Sequence, residues 1–114
     1  MHELALTQSI VEICAERAQG AKVRRVILEI GSLAAVMPDA LRFCFDMCAA
    51  GSELEGARLE IIDIAGRGRC RVCDTQMEMK DYLARCGCGS FDIECIAGEG
   101  LRVKEMEVLE MEVV

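Results

Sequence analysis

Eight cysteines in 114 residues, four of them set in the pairs CRVC (Cys70 to Cys73) and CGC (Cys86 to Cys88), constrain this chain more than any other feature. The stretch from Gly66 to Gly98 holds both pairs and Cys95, is rich in glycine and is poor in large apolar residues. Such a stretch is too small to be stabilised by a core of its own, so it needs a cross-link or an ion. A C-x-x-C turn aims two thiolates at one tetrahedral ion, at a zinc–sulfur distance of about 2.3 Å, and a second pair closes the shell. Four thiolates leave no open coordination position, which makes the expected ion structural zinc and its binding energy a folding energy.

The candidate zinc ligands are Cys70, Cys73, Cys86 and Cys88. Only Gly87 separates the second pair, where zinc ribbons commonly place two residues, and the flanking Gly87 and Gly89 offer backbone angles forbidden to other residues. Cys95 is the reserve for the fourth ligand, although Phe91, Ile93 and Cys95 share a strand parity that would bury all three. An iron–sulfur cluster is the alternative occupant of four thiolates. Thiol–disulfide exchange through Cys70 and Cys73 is another, with closed coordination the simpler account of so many neighbouring thiols.

Charge limits the partners. The formal net charge is -7 at pH 7, which repels nucleic acid and anionic membranes globally. Arg67, Arg69, Arg71, Lys80 and Arg85 within the insert are matched in number by Asp74, Glu78, Asp81, Asp92 and Glu94, a balance that does not favour binding to phosphates. The beginning of the sequence has neither the basic stretch nor the apolar run of a secretory signal, and no apolar segment approaches the roughly 20 residues of a membrane span. A reducing cytoplasm is the expected compartment, where close cysteine pairs serve metals more often than disulfides.

Around the insert, periodicity separates helices from strands. ELALTQSIVEICAERAQG reads as an amphipathic helix with Leu6, Ile10, Ile13 and Arg17 on one stripe, Leu4 starting its apolar side, Cys14 in an apolar neighbourhood, and Gln19 and Gly20 as the stop. KVRRVILEIG reads as a strand with Val26, Leu28 and Ile30 on one face, Ile27 and Glu29 on the other, and Gly31 at its end. PDALRFCFDMC suits a second helix, with Pro38 in the first turn, Leu41, Phe45 and Cys48 on a stripe, and Arg42 and Asp46 spaced to pair outside. Cys44 and Cys48, lying among phenylalanines, read as packing rather than as half a metal site. A strand from Arg58 to Ile64, apolar on both faces, is expected to be central or covered. A last strand starts near Leu101, with Glu105, Glu107, Glu110 and Glu112 on a solvated face. The expected fold is α+β: two helices on a small, roughly three-stranded sheet, with an inserted zinc-ribbon-like domain at 66–98 and the host domain formed by 1–65 plus 99–114.

The opening MHEL carries the only histidine. A lone histidine near a chain end is ordinarily solvated, yet the spacing is chemically useful. A free Met1 amine, the His2 amide nitrogen and the His2 imidazole can close adjacent chelate rings on one ion, and no proline blocks amide deprotonation. An α-amine releases its proton near pH 7.7 to 8, roughly, so a metal can displace it at neutral pH. Glu3 can add an amide nitrogen or a carboxylate. A planar, nitrogen-rich set favours nickel or copper over zinc.

With MHEL and QSIVEI at the start, then RRVILEIG, PDALRFCFD, the ARLEI strand, the CxxC insert and LRVKEMEV near the end, the chain resembles the HypA/HybF family of hydrogenase maturation factors over nearly its whole length. The resemblance implies a nickel metallochaperone and not an enzyme. It implies a nickel site at Met1, His2 and Glu3, with His2 indispensable, and a zinc domain whose ligands are Cys70, Cys73, Cys86 and Cys88. Implied partners are a nickel-carrying GTPase and the precursor of the hydrogenase large subunit, with urease maturation proteins in some organisms. CGC departs from the family's usual two-residue spacing with proline beside the first cysteine. The chain has no glycine-rich phosphate loop, in keeping with a separate GTPase. The rival reading is a zinc-stabilised interaction adaptor without a functional nickel site, and a thiol oxidoreductase comes third.

Overall fold

The structure is a computed structural model that describes residues 3–109. Its elements run α1 (Glu3–Ala18), β1 (Val23–Gly31), α2 (Pro38–Ala49), β2 (Arg58–Ile64), β3 (Gly66–Cys70), β4 (Gln76–Met79), β5 (Ile93–Ala97) and β6 (Leu101–Val108). They form two three-stranded sheets, ordered β2-β1-β6 and β4-β3-β5. The architecture is thus α+β, as expected. The described residues divide into two compact units, one within 3–28, 36–61 and 103–109, the other of residues 29–35 and 62–102.

In the first unit, α1 packs on α2 through a face that the apolar spacing misplaces. Its buried residues are Thr7, Ile10, Val11, Cys14 and Ala18. Ile13 is 49% exposed and Leu4 43%, so neither belongs to the core, and Arg17 is exposed as well. The physical reason is Thr7: its hydroxyl donates to the Glu3 carbonyl at 2.5 Å, which satisfies the polar atom and lets the residue be fully buried. The helix stops where the sequence indicates, with Gln19 at φ 50° and Gly20 at φ 86°.

Helix α2 buries Leu41, Phe45 and Ala49, and Cys48 is half-buried. Arg42 does not pair with Asp46. Its guanidinium donates to the Leu59 carbonyl at 2.5 Å, a charge-assisted bond to a backbone acceptor from another element. β1 is the central strand: Val26, Leu28 and Ile30 are buried on one face, and Ile27 is buried too, so the opposite face is also covered there. β2, expected to be central or covered, is an edge strand with Ile62 37% exposed.

Strand directions follow from the hydrogen bonds at the strand ends. Gly31 N donates to Gly100 O, and Leu109 N donates to Lys22 O, which makes β1 and β6 antiparallel. Ser32 N, just past β1, donates to the O of Ile64, the last residue of β2, and Val23 N at the start of β1 donates to Glu53 O ahead of β2, so these strands run parallel, with α2 as their crossover. Glu107 does not lie on a merely solvated face: it approaches Arg25 at 3.3 Å and Arg24 at 3.6 Å, while Glu60 takes the other side of Arg25 at 3.3 Å. Glu105 is exposed, and Glu110 and Glu112 lie outside the described residues.

In the second unit β3 pairs antiparallel with β4 on one side and β5 on the other. Where this small sheet begins and ends, three glycines meet. A Cβ on Gly31 would lie 2.0 Å from Gly98 O, and one on Gly98 would lie 2.5 Å from Gly66 Cα. Gly98 also has φ 91°, a conformation that side chains rarely adopt. Only glycine fits these positions, and they include both boundaries of the cysteine-rich stretch.

Candidate metal centre

β3 delivers Cys70 at its last residue, and the chain then turns through Arg71, Val72 and Cys73 before entering β4. The turn is tied by Cys70 N donating to Thr75 O at 2.9 Å and Asp74 N donating to Cys70 O at 2.8 Å, with Asp74 in the left-handed region at φ 65°. A second turn repeats this pattern ahead of β5. Cys86 N donates to Ser90 O at 2.9 Å, Gly89 N donates to Cys86 O at 2.9 Å, and Gly89 has φ 96°. In each case the residue after the second cysteine is left-handed and the next carbonyl returns to the first cysteine. The second turn is the first with one residue removed.

That explains how CGC can stand in for a two-residue spacing. Gly89 supplies the unusual backbone angle. Gly87 does not: it has no positive φ, and a Cβ there would meet nothing within 4 Å.

The two turns face each other. Cys73 and Cys86 have their sulfurs 3.4 Å apart, Cys70 and Cys88 have theirs 3.7 Å apart, and all four lie within 4.8 Å of one another. Four sulfurs on a tetrahedral zinc at about 2.3 Å stand about 3.8 Å from each other, so this donor set suits the ion with shifts of about an ångström or less. The cluster is asymmetric in access, with Cys70 and Cys86 buried and Cys73 and Cys88 exposed.

The thiols also differ in acidity. Cys73 is held at about 6, first by the Thr75 hydroxyl 3.1 Å from its sulfur, then by the Thr75 backbone and by Cys86. Cys70 is lowered chiefly by the Cys73 backbone N–H. For Cys86, the Cys88 backbone N–H acts to lower it, but the neighbouring Cys73 sulfur and burial outweigh that and push it up to about 12. Thr75 is a member of the site that the cysteine spacing does not reveal; the signal would have been a hydroxyl two residues after the second cysteine.

Cys95, the reserve ligand, is not in this group. It lies in β5, donates from its sulfur to Ala97 O at 3.3 Å, and is raised by burial and by Glu99. Phe91 is 68% exposed instead of sharing its burial, and Arg85 sits 5.2 Å from its ring centre. Cys14 is buried and raised by burial, and Cys48 is raised by burial and then by Cys44. Two of the insert's arginines engage neighbouring acids: Arg69 with Asp74 and Glu94, each at 3.7 Å, and Arg71 with Asp92 at 3.3 Å.

Of the terminal set, Met1 and His2 lie outside the described residues. Glu3 opens α1, and its carboxylate accepts a hydrogen bond from Met37 N at 3.2 Å. No helix among the described residues is long and apolar enough to cross a membrane.

Residues 1–108 match the model of the family described as hydrogenase/urease nickel incorporation, metallochaperone, HypA. The chain is 53% identical over 111 residues to the hydrogenase maturation factor HypA of Nostoc punctiforme, covering 97% of this chain and 98% of that relative. It is 48% identical over 109 residues to the factor of the same name from Geobacter sulfurreducens, covering 95% and 99%. Among solved structures it is similar to the solution structure of the Ni metallochaperone HypA from Helicobacter pylori, with a TM-score of 0.72 and 25% identity over 97% of this chain and 100% of that one.

Proposed function

We propose, since this chain belongs to the HypA family of hydrogenase and urease nickel-incorporation proteins, that it binds Ni(II) at its N-terminus and delivers it to nickel–iron hydrogenase during maturation. The observation that carries this reading is the family match from residue 1, which takes in Met1, His2 and Glu3 together with the cysteine insert. In this reading the Met1 amine, the His2 amide nitrogen and the His2 imidazole hold the ion, with Glu3 completing or flanking the set. A nitrogen-rich planar site suits nickel, and ligands at a chain end exchange readily.

Residues 66–98 act as the zinc-binding domain, and residues 1–65 with 99–114 as the nickel-binding domain. Zinc held by Cys70, Cys73, Cys86 and Cys88 supplies folding energy and no reactive position, because its shell is closed. The Thr75 hydroxyl stabilises the Cys73 thiolate, and the two backbone turns hold each cysteine pair in place.

Delivery is ligand exchange, so no nucleophile or general base takes part. The receiving partners are the precursor of the hydrogenase large subunit and a GTPase that carries nickel, with urease maturation proteins as a second client. The compartment is the cytoplasm, where the thiols stay reduced.

Titrating nickel into three zinc-loaded proteins tests this: the untagged chain, a His2→Ala variant and a chain carrying one extra N-terminal residue. Tight binding is expected in the first alone. Equal stoichiometry and affinity in all three would leave the zinc-stabilised adaptor as the better reading.

A further inference from the structure

Helix α2 lacks a cap of its own. Its N-cap is Met37, which has no side-chain oxygen, and Pro38 follows at the first helical position. In a capping box the third helical residue, a glutamate or glutamine, reaches back to the N–H of the N-cap residue. Here that residue is Ala40. The missing acceptor arrives from another helix: the Glu3 carboxylate, at the first position of α1, accepts the Met37 N–H at 3.2 Å.

Glu3 is therefore held at two points at least. Its main-chain carbonyl takes the Thr7 hydroxyl at 2.5 Å, and its carboxylate takes Met37 N. One bond fixes the residue to its own helix and the other fixes it to α2. The residue so held is the one that directly follows Met1 and His2.

We infer that the Glu3 carboxylate is a positioning group and not a nickel ligand: it caps α2 at Met37 and thereby fixes the point from which Met1 and His2 reach the ion. This inference rests on the terminal nickel site proposed above. The cap engages one carboxylate oxygen, Oε1, so capping and ligation are separated by experiment.

The test uses the full-length, untagged, zinc-loaded protein and four variants: Glu3→Gln, Glu3→Ala, the double variant Glu3→Ala/Ala40→Glu, and His2→Ala. Glutamine keeps an acceptor for Met37 N but is a poor nickel ligand. Alanine has no acceptor. In the double variant, glutamate at position 40 restores a cap to α2 from within the helix but leaves residue 3, now alanine, without its bond to Met37. Amide exchange at Met37 is measured without nickel, and nickel affinity is measured by titration.

Glu3→Gln should match the native protein in both measurements. Glu3→Ala should exchange Met37 faster and bind nickel more weakly, each by roughly fivefold to tenfold, the scale of a lost helix cap. Glu3→Ala/Ala40→Glu should recover slow exchange but not nickel affinity.

Weak nickel binding by Glu3→Gln would overturn the inference in favour of a ligating carboxylate. Unchanged exchange in Glu3→Ala would remove the cap itself. Recovery of nickel affinity in the double variant would mean that Glu3 acts only through the stability of α2. Native affinity in His2→Ala would instead refute the terminal nickel site, and the exchange data would still report on the cap.

Discussion

Asp74 and Gly89 occupy the same place in two facing turns: each follows the second cysteine of its pair, and each has a left-handed backbone, at φ 65° and φ 96°. The pairs differ in length by one residue, but the angle that sends the chain back past its first cysteine is common to both. The position that limits each turn is therefore the one after the cysteines, not the one between them.

Gly89→Ala should accordingly weaken zinc binding, because a side chain in the left-handed region costs about 1–2 kcal/mol. Gly87→Ala should be close to neutral, since nothing lies within 4 Å of the added methyl. Asp74→Gly should be neutral or slightly stabilising. Competition with a chromophoric chelator ranks the three.

Cys88→Ser should lose zinc affinity by more than about 100-fold, beyond the loss caused by altering a group that only supports a ligand. Cys95→Ser should keep the native stoichiometry, because its sulfur donates to the Ala97 carbonyl. Metal analysis after gel filtration distinguishes them, and tight zinc in Cys88→Ser would show that the fourth ligand lies elsewhere.

Acid should release zinc at a pH that Thr75 helps set. The Cys73 thiol is lowered to about 6 with the Thr75 hydroxyl as the first cause. A group with a depressed pKa contributes binding that is present above its ordinary value and lost as pH falls through the lowered one. Removing the hydroxyl in Thr75→Val raises that value, so protons displace zinc sooner. The midpoint of release should move upward by roughly half a pH unit, the scale of one hydrogen bond to a charged group shared among four ligands.

Gly98→Ala should be strongly destabilising. Its φ of 91° disfavours a side chain, and the new methyl would stand 2.5 Å from Gly66 Cα, a backbone atom that cannot swing aside. A loss of about 3 kcal/mol or more is expected in urea unfolding. Gly100→Ala, where the methyl meets nothing within 4 Å, is the control.

Phe45→Ala and Phe43→Ala should differ sharply although they are two residues apart on α2. Phe45 is 1% exposed and Phe43 is 67% exposed. Truncation of the first should cost about 3–5 kcal/mol and of the second well under 1 kcal/mol, read from thermal or urea midpoints.

Much of this organisation was legible in the residues. Pro38, Gly20 and Gly31 mark element ends, and the two cysteine pairs announce a four-sulfur cluster because their spacing is a local property. Most of what escaped the sequence depended on partners distant along the chain. Thr7 differs: it is polar and looks like surface, yet its hydroxyl meets the Glu3 carbonyl one turn back in the same helix. Arg42 has a suitable acid four residues on, but the Leu59 carbonyl takes it. Cys95 has the right chemistry for a ligand and the wrong strand. The strand order that puts β2 at an edge and β1 in the centre is likewise a long-range outcome, and it decides which apolar run is fully covered.

The contact between Gly66 and Gly98 means that everything between them leaves and returns at one point of the chain. In polymer language that stretch is a closed ring, and the entropy of closing a ring grows only with the logarithm of its length. Residues can be gained or lost inside it at little thermodynamic cost, provided the two ends still touch. A cysteine turn one residue shorter than its twin is the kind of change such a ring absorbs without moving the strands on either side of it.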